Sequence, residues 1–213
     1  MTGCVALLRS VNVGGHNRVP MAELRDLFAE LGFPGARTHL NSGNVIFDVD
    51  IDESTTTNTA ARLRDGIADR FAVDTPVLLR TRSQLDAVLA QEPFDGLDFD
   101  PARLAVVFAD PAIDADTAAL IKVPAGHPER AEVCHGELLI HYPNGLGKST
   151  LTAQFWRPLK NRAITVRNWR TVTRLRDMLT GLPVSRTTSV PTVCHPARAS
   201  GHGKPPARRH GRC

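Results

Sequence analysis

Residues 36–48 read Ala-Arg-Thr-His-Leu-Asn-Ser-Gly-Asn-Val-Ile-Phe-Asp, and residues 132–142 read Glu-Val-Cys-His-Gly-Glu-Leu-Leu-Ile-His-Tyr. In the first, the strand-forming runs Ala36 to Leu40 and Asn44 to Asp48 flank Asn41, Ser42 and Gly43, which have the composition of a tight turn. In the second, Glu132 to His135 and Glu137 to Tyr142 turn at His135 and Gly136. A tight turn joins antiparallel neighbours, whereas a parallel pair needs a crossover of roughly a dozen residues or more. Two hairpins at matching places predict an α+β chain and argue against a single doubly wound parallel sheet.

Outward from the first hairpin, Cys4 to Asn12 is an apolar strand of the kind buried on both faces, and Pro20 presets a helix start. Met21, Leu24, Leu27, Phe28 and Leu31 recur at helical spacing until Gly32 stops the run. Thr59 to Phe71 gives a second helix and Thr75 to Arg80 a fourth strand. After a connector with a short helix from Ser83 to Leu89 and an acidic loop from Glu92 to Asp100, the order returns. Leu104 to Ala109 is a strand, Asp114 to Ile121 a helix, Thr150 to Leu159 the helix after the second hairpin, and Ala163 to Val166 the last strand. Trp169 to Leu179 is a further helix.

Each half therefore has the β-α-β-β-α-β order of a ferredoxin-like unit, an antiparallel sheet with two helices on one face. The expected division is 3–80 for the first half, 81–103 for the connector, 104–182 for the second half with its C-terminal helix, and 183–213 for a disordered basic tail. The tail carries prolines at 183, 191, 196, 205 and 206 and no apolar residue larger than valine, too little to offset ordering entropy.

Charge divides along the same boundary. Val184 to Cys213 holds Arg186, Arg198, Lys204, Arg208, Arg209 and Arg212 and no acid, so of the net +4 this segment supplies +6 and residues 1–183 carry −2. The pI of about 9.2 belongs to the tail and is no sign that the body binds nucleic acid. Apolar runs fall short of the roughly 20 residues of a membrane span, and the N-terminus lacks a secretory pattern, so a cytoplasmic protein is expected. Cys4, Cys134, Cys194 and Cys213 have no paired spacing for zinc or disulfides, and Cys194, His195, His202, His210 and Cys213 fit no metal frame. No metal site is expected, and no cofactor can be named.

Four motifs stand out: Val5 to Gly15 with Val19-Pro20-Met21, Ser42-Gly43-Asn44-Val45, Tyr142-Pro143-Asn144-Gly145-Leu146-Gly147, and Arg167-Asn168-Trp169 with Thr171-Val172-Thr173. In combination they resemble a family catalogued as domain of unknown function 1697. The resemblance covers roughly residues 3–180 and implies two ferredoxin-like subdomains with no assigned activity. Ser10 departs from it, standing where a glycine is expected, and so does the tail.

Physically, Gly14 and Gly15 follow a buried strand and precede a helix start, so the Gly14 to Asn17 backbone can form an anion nest beside Arg9 and Asn12; the alternative is a plain sharp turn. Ser42 and Asn44 sit on the first hairpin turn, which lacks the G-x-S-x-G frame of a nucleophile loop. Gly145, Gly147, Lys148 and Ser149 resemble a phosphate loop, yet Tyr142 stands where the Walker pattern needs its first glycine. Ser149 or Thr150 capping the next helix is the plainer reading. Asn168 is a helix cap and Trp169 a packing or stacking ring.

These residues support a module that binds a small anionic ligand, such as a nucleotide or phosphometabolite, through its glycine-rich loops. A second reading is an enzyme at the same cleft using His16, Ser42 or Lys148, although no acid, base and nucleophile set has a recognisable spacing. A third is single-stranded nucleic-acid binding through the tail and the Trp156, Arg157, Lys160, Arg162 to Arg170 surface.

Overall fold

The computed structural model describes residues 2–49, 53–90, 94 and 100–179. The acidic stretch from Glu92 to Asp100 lies almost wholly outside the described residues, as does the 183–213 tail. The architecture is α+β, with two four-stranded antiparallel sheets. The first holds β1 (Thr2–Leu8), β2 (Arg37–Thr38), β3 (Asn44–Val49) and β4 (Val77–Thr81) in the order β2-β3-β1-β4. The second holds β5 (Leu104–Asp110), β6 (Arg130–Cys134), β7 (Glu137–His141) and β8 (Ala163–Asn168) in the order β6-β7-β5-β8. Helices α1 (Met21–Glu30), α2 (Glu53–Phe71) and α3 (Arg82–Leu89) accompany the first sheet. Helices α4 (Ala115–Leu120), α5 (Ala153–Trp156) and α6 (Trp169–Met178) accompany the second. Among the described residues no helix is long and apolar enough to cross a membrane.

The central strands are apolar throughout because both their faces are covered. Successive residues of a strand point to opposite sides. Cys4, Ala6 and Leu8 pack with Leu24, Leu27 and Phe28 of α1 and Leu63 and Ile67 of α2. Val5 and Leu7 face the other way, into a core shared with Val106 and Phe108 of β5 and with Leu85, Val88, Val172 and Leu175 of α3 and α6. Ala105, Val107 and Ala109 then face Phe155 and Leu159 on the far side of the second sheet. Burying each such side chain contributes about 1.5–3 kcal/mol, so the shared core holds the two sheets as one body.

Several elements depart from the periodicity. β1 ends at Leu8, not Asn12, because Ser10 (φ 50) and Asn12 (φ 54) turn left-handed and Leu8 N–H bonds the Gly43 carbonyl at 2.8 Å. The first hairpin loop spans 39–43 and is wider than the tight turn expected, since only Arg37 and Thr38 pair, with Ile46 and Val45. The second is a two-residue turn at His135 (φ 50) and Gly136 (φ 77). Thr81, not Ser83, caps α3: its hydroxyl accepts from the Gln84 N–H while the Gln84 side chain accepts from the Thr81 N–H. α2 begins at Glu53, ahead of Thr59. The helix expected over 150–159 shrinks to α5 and a 3₁₀ turn at Arg157–Leu159, where Pro158 lacks the N–H that an α-helix needs. Neither Ser149 nor Thr150 caps it: the N-cap position is Thr152, Thr150 Oγ1 is engaged by His127 Nδ1 at 2.9 Å and Glu129 Oε2 at 3.1 Å, and Ser149 Oγ accepts from the Leu151 N–H at 3.2 Å.

Candidate functional site

Two arginines cross between the sheets from equivalent registers. Arg80 on β4 stands opposite Val5, and Arg167 on β8 stands opposite Val106. From Arg80, Nε donates to Glu137 Oε1 at 2.5 Å and Nη2 to the Ala109 carbonyl at 2.7 Å. From Arg167, Nε donates to Asn44 Oδ1 at 2.5 Å and Nη2 to the Leu8 carbonyl at 2.7 Å. Glu137 and Asn44 are the first residues of β7 and β3, while Leu8 is the last residue of β1 and Ala109 the last but one of β5. The contacts thus match strand for strand, reversed between the halves.

Their electrostatics differ. Arg80 and Glu137, 9% and 4% exposed, form a buried ion pair, and the Arg80 guanidinium also lies 5.6 Å from the centre of the Phe108 ring. Burial pushes the Glu137 carboxyl up; the Arg80 charge and the Ala109 N–H, 2.8 Å from Oε2, oppose that. Arg167 is 7% exposed and among the described residues has only neutral partners: Asn44, Leu8, Thr165 Oγ1 at 2.8 Å, and the Val166, Ser42 and Gly43 carbonyls at 2.9, 3.0 and 3.4 Å. Burial pulls its pKa down to about 10, which leaves it charged at neutral pH.

Arg167 floors a cleft of about 360 Å³ lined by Arg9, Ser10, Val11, Val13, Ser42, Ile164, Thr165, Val166 and Arg167. Arg9 enters it from a fixed backbone, its N–H on the Pro76 carbonyl at 3.3 Å and its carbonyl taking the Thr75 hydroxyl at 2.6 Å. Among the described residues its side chain has no hydrogen bond or ion pair and is exposed. Ser42 Oγ accepts from Asn44 Nδ2 at 3.1 Å, which leaves its own proton to donate. Among the described residues no acid lines the cleft.

Of the residues nominated from the sequence, Arg9 and Ser42 line this cleft and Asn44 holds its floor. Asn12 braces the loop, with Nδ2 on the Val19 and Asn41 carbonyls and Oδ1 taking the Val19 N–H. Asn17 ties back to the Ser10 carbonyl. Gly14 and Gly15 form the exposed tip of a turn closed by the His16 N–H on Val13, and the cleft lining includes neither. Gly145, Gly147, Lys148 and Ser149 follow β7 and do not line it, so the two glycine loops do not share this cleft. Asn168 caps α6 through the Arg170 N–H, and Trp169 packs at its foot. Of His16, Ser42 and Lys148, only Ser42 lines the cleft, and among the described residues no hydrogen bond or ion pair joins the three.

Elsewhere, the Trp156 ring packs on Phe155 at 5.0 Å, and Arg162 is held by Asp114 and by the Pro111 and Ala112 carbonyls. Arg157 and Lys160 remain on the surface. Sequence reasoning left Ser10, Thr165 and Arg167 out of the site. The available signal was a cationic residue in the last strand of each half, at 80 and at 167.

The conserved bacterial protein SP0830 from Streptococcus pneumoniae is similar in structure, with a TM-score of 0.64 at 25% identity over 84% of this chain and 98% of that one. No curated protein matches the chain. A family model described as protein of unknown function (DUF1697) matches residues 1–138, more than half of the chain, and the chain therefore belongs to that family.

Proposed function

We propose that this protein binds a small anionic ligand in the cleft between the Arg9 loop and β8. The observation that carries this reading is a buried guanidinium, Arg167, that among the described residues has no carboxylate partner and lines the same cleft as the unpaired Arg9, with no acid in that lining. Positive charge held in a partly desolvated concavity attracts anions more strongly than the same charge in open water. Arg9 and the hydroxyls of Ser10 and Ser42 supply donors, and Val11, Val13, Ile164 and Val166 supply apolar wall. Among the described residues no aromatic ring lines the cleft to stack on a base, which favours a phosphometabolite over a nucleotide.

Each half is, in this reading, a ferredoxin-like unit and the chain a tandem pair of them. The matching strand orders and the reciprocal Arg80 and Arg167 contacts support that. A cytoplasmic location is proposed with it, supported by Cys4 and Cys134, two buried cysteines that form no disulfide among the described residues. The test is a thermal-shift screen of phosphorylated and carboxylated metabolites against the protein and Arg9→Ala. Stabilisation by an anion that Arg9→Ala removes is expected; a screen with no such ligand overturns the reading.

A further inference from the structure

The equivalent arginines differ in one feature of their partners. At the first residue of β7, Glu137 gives Arg80 a carboxylate; at the first residue of β3, Asn44 gives Arg167 an amide oxygen. The Arg80 contact is therefore neutralised by a carboxylate, and the Arg167 contact is not. The Arg167 N–H groups are all committed to neutral oxygens, so Arg167 acts on the cleft through its charge, while Arg9, Ser10 and Ser42 remain as donors.

We propose that Asn44 sets the charge of the cleft, so that the cleft selects a dianionic oxyanion of the phosphate-monoester kind over a singly charged carboxylate. This rests on the anion-binding reading and narrows it. One guanidinium balances one carboxylate, as Arg80 balances Glu137. The cleft presents two guanidinium charges and no acid, so a monoanion leaves one of them unbalanced and a dianion leaves neither. Asn44 is fully buried, donates to the His39 carbonyl and to Ser42 Oγ, and aims its oxygen at Arg167 Nε, so it positions the cleft without being part of its lining. An acid at this residue would recreate around Arg167 the neutral arrangement that Glu137 gives Arg80.

The experiment is calorimetric titration of the full chain with inorganic phosphate and with acetate, at a pH where phosphate is dianionic. It is repeated on Asn44→Asp and Asn44→Glu, with circular dichroism to confirm folding. Phosphate is expected to bind at least about tenfold more tightly than acetate, and a folded acidic variant to lose about tenfold or more of the phosphate affinity. Equal affinity for the two anions, or wild-type phosphate affinity in a folded acidic variant, overturns the inference and leaves the anion-binding reading standing. If neither variant folds, the phosphate-to-acetate ratio of the wild-type protein decides. Failure of both anions to bind the wild-type protein counts against the anion-binding reading itself.

Discussion

Arg80 and Arg167 reach across the sheet interface in opposite directions, each using Nε on the first residue of the other half's third strand and Nη2 on a carbonyl at the end of its first strand. Two such contacts tie the sheets together, and of the two arginines only Arg80 finds a carboxylate.

Removing that carboxylate leaves a buried cation without its counter-charge. Glu137→Ala is expected to destabilise the protein by about 3–5 kcal/mol in urea denaturation. The double variant Arg80→Met with Glu137→Leu is expected to recover most of the loss, because an apolar pair of similar volume incurs no desolvation. Equal losses in the two variants would contradict an ion pair at this place.

Backbone handedness gives opposite predictions at two neighbouring positions. Ser10 has φ 50, where a side chain costs about 1–2 kcal/mol, so Ser10→Gly is expected to stabilise the protein by up to about 1 kcal/mol. Gly43 has φ 72, and a Cβ there would lie 2.5 Å from Val11 Cγ2 and 2.7 Å from Leu8 Cβ. Gly43→Ala should cost about 2 kcal/mol or more in melting experiments, whereas Gly14→Ala, with nothing within 4 Å, carries the handedness cost alone.

Acid sensitivity is expected at the start of α4. The Thr117 N–H and hydroxyl, followed by Arg162, hold the Asp114 carboxyl down at about 2 from an ordinary 3.8. A depressed folded-state pKa contributes stability that is present above the unfolded value and lost as pH falls through the folded one, so this contribution fades between about pH 4 and about pH 2. Asp114→Asn should flatten the melting temperature against pH in that window, and an unchanged profile would count against the cap.

Arg9 is expected to matter for binding and not for folding. Its exposed side chain has no partner among the described residues, so Arg9→Ala should melt within about 0.5 kcal/mol of wild type. The same variant should lose its response to phosphate in thermal shift.

The order of elements was legible because its signals are local. Turn residues at His135 and Gly136, the helical spacing from Met21 to Leu31, and the stop at Gly32 each act within a few residues. The site was less legible because its contacts are distant. Arg80 meets Glu137 across 57 positions and Arg167 meets Asn44 across 123, and no periodicity links residues so far apart. The glycine loops drew attention by composition, yet Gly14 and Gly15 shape a turn while the cleft is built from the residues before them and from β8. Ser10 was visible as a departure from the family pattern, and its positive φ explains why a glycine is expected there.

The most direct measurement is a phosphate titration followed by amide and arginine side-chain nitrogen resonances of the labelled protein. The account predicts saturable shifts at Arg9, Ser10, Val13, Ser42 and the stretch from Ile164 to Arg167. Shifts confined to Gly145, Gly147, Lys148 and Ser149, or none at Arg9, would contradict it.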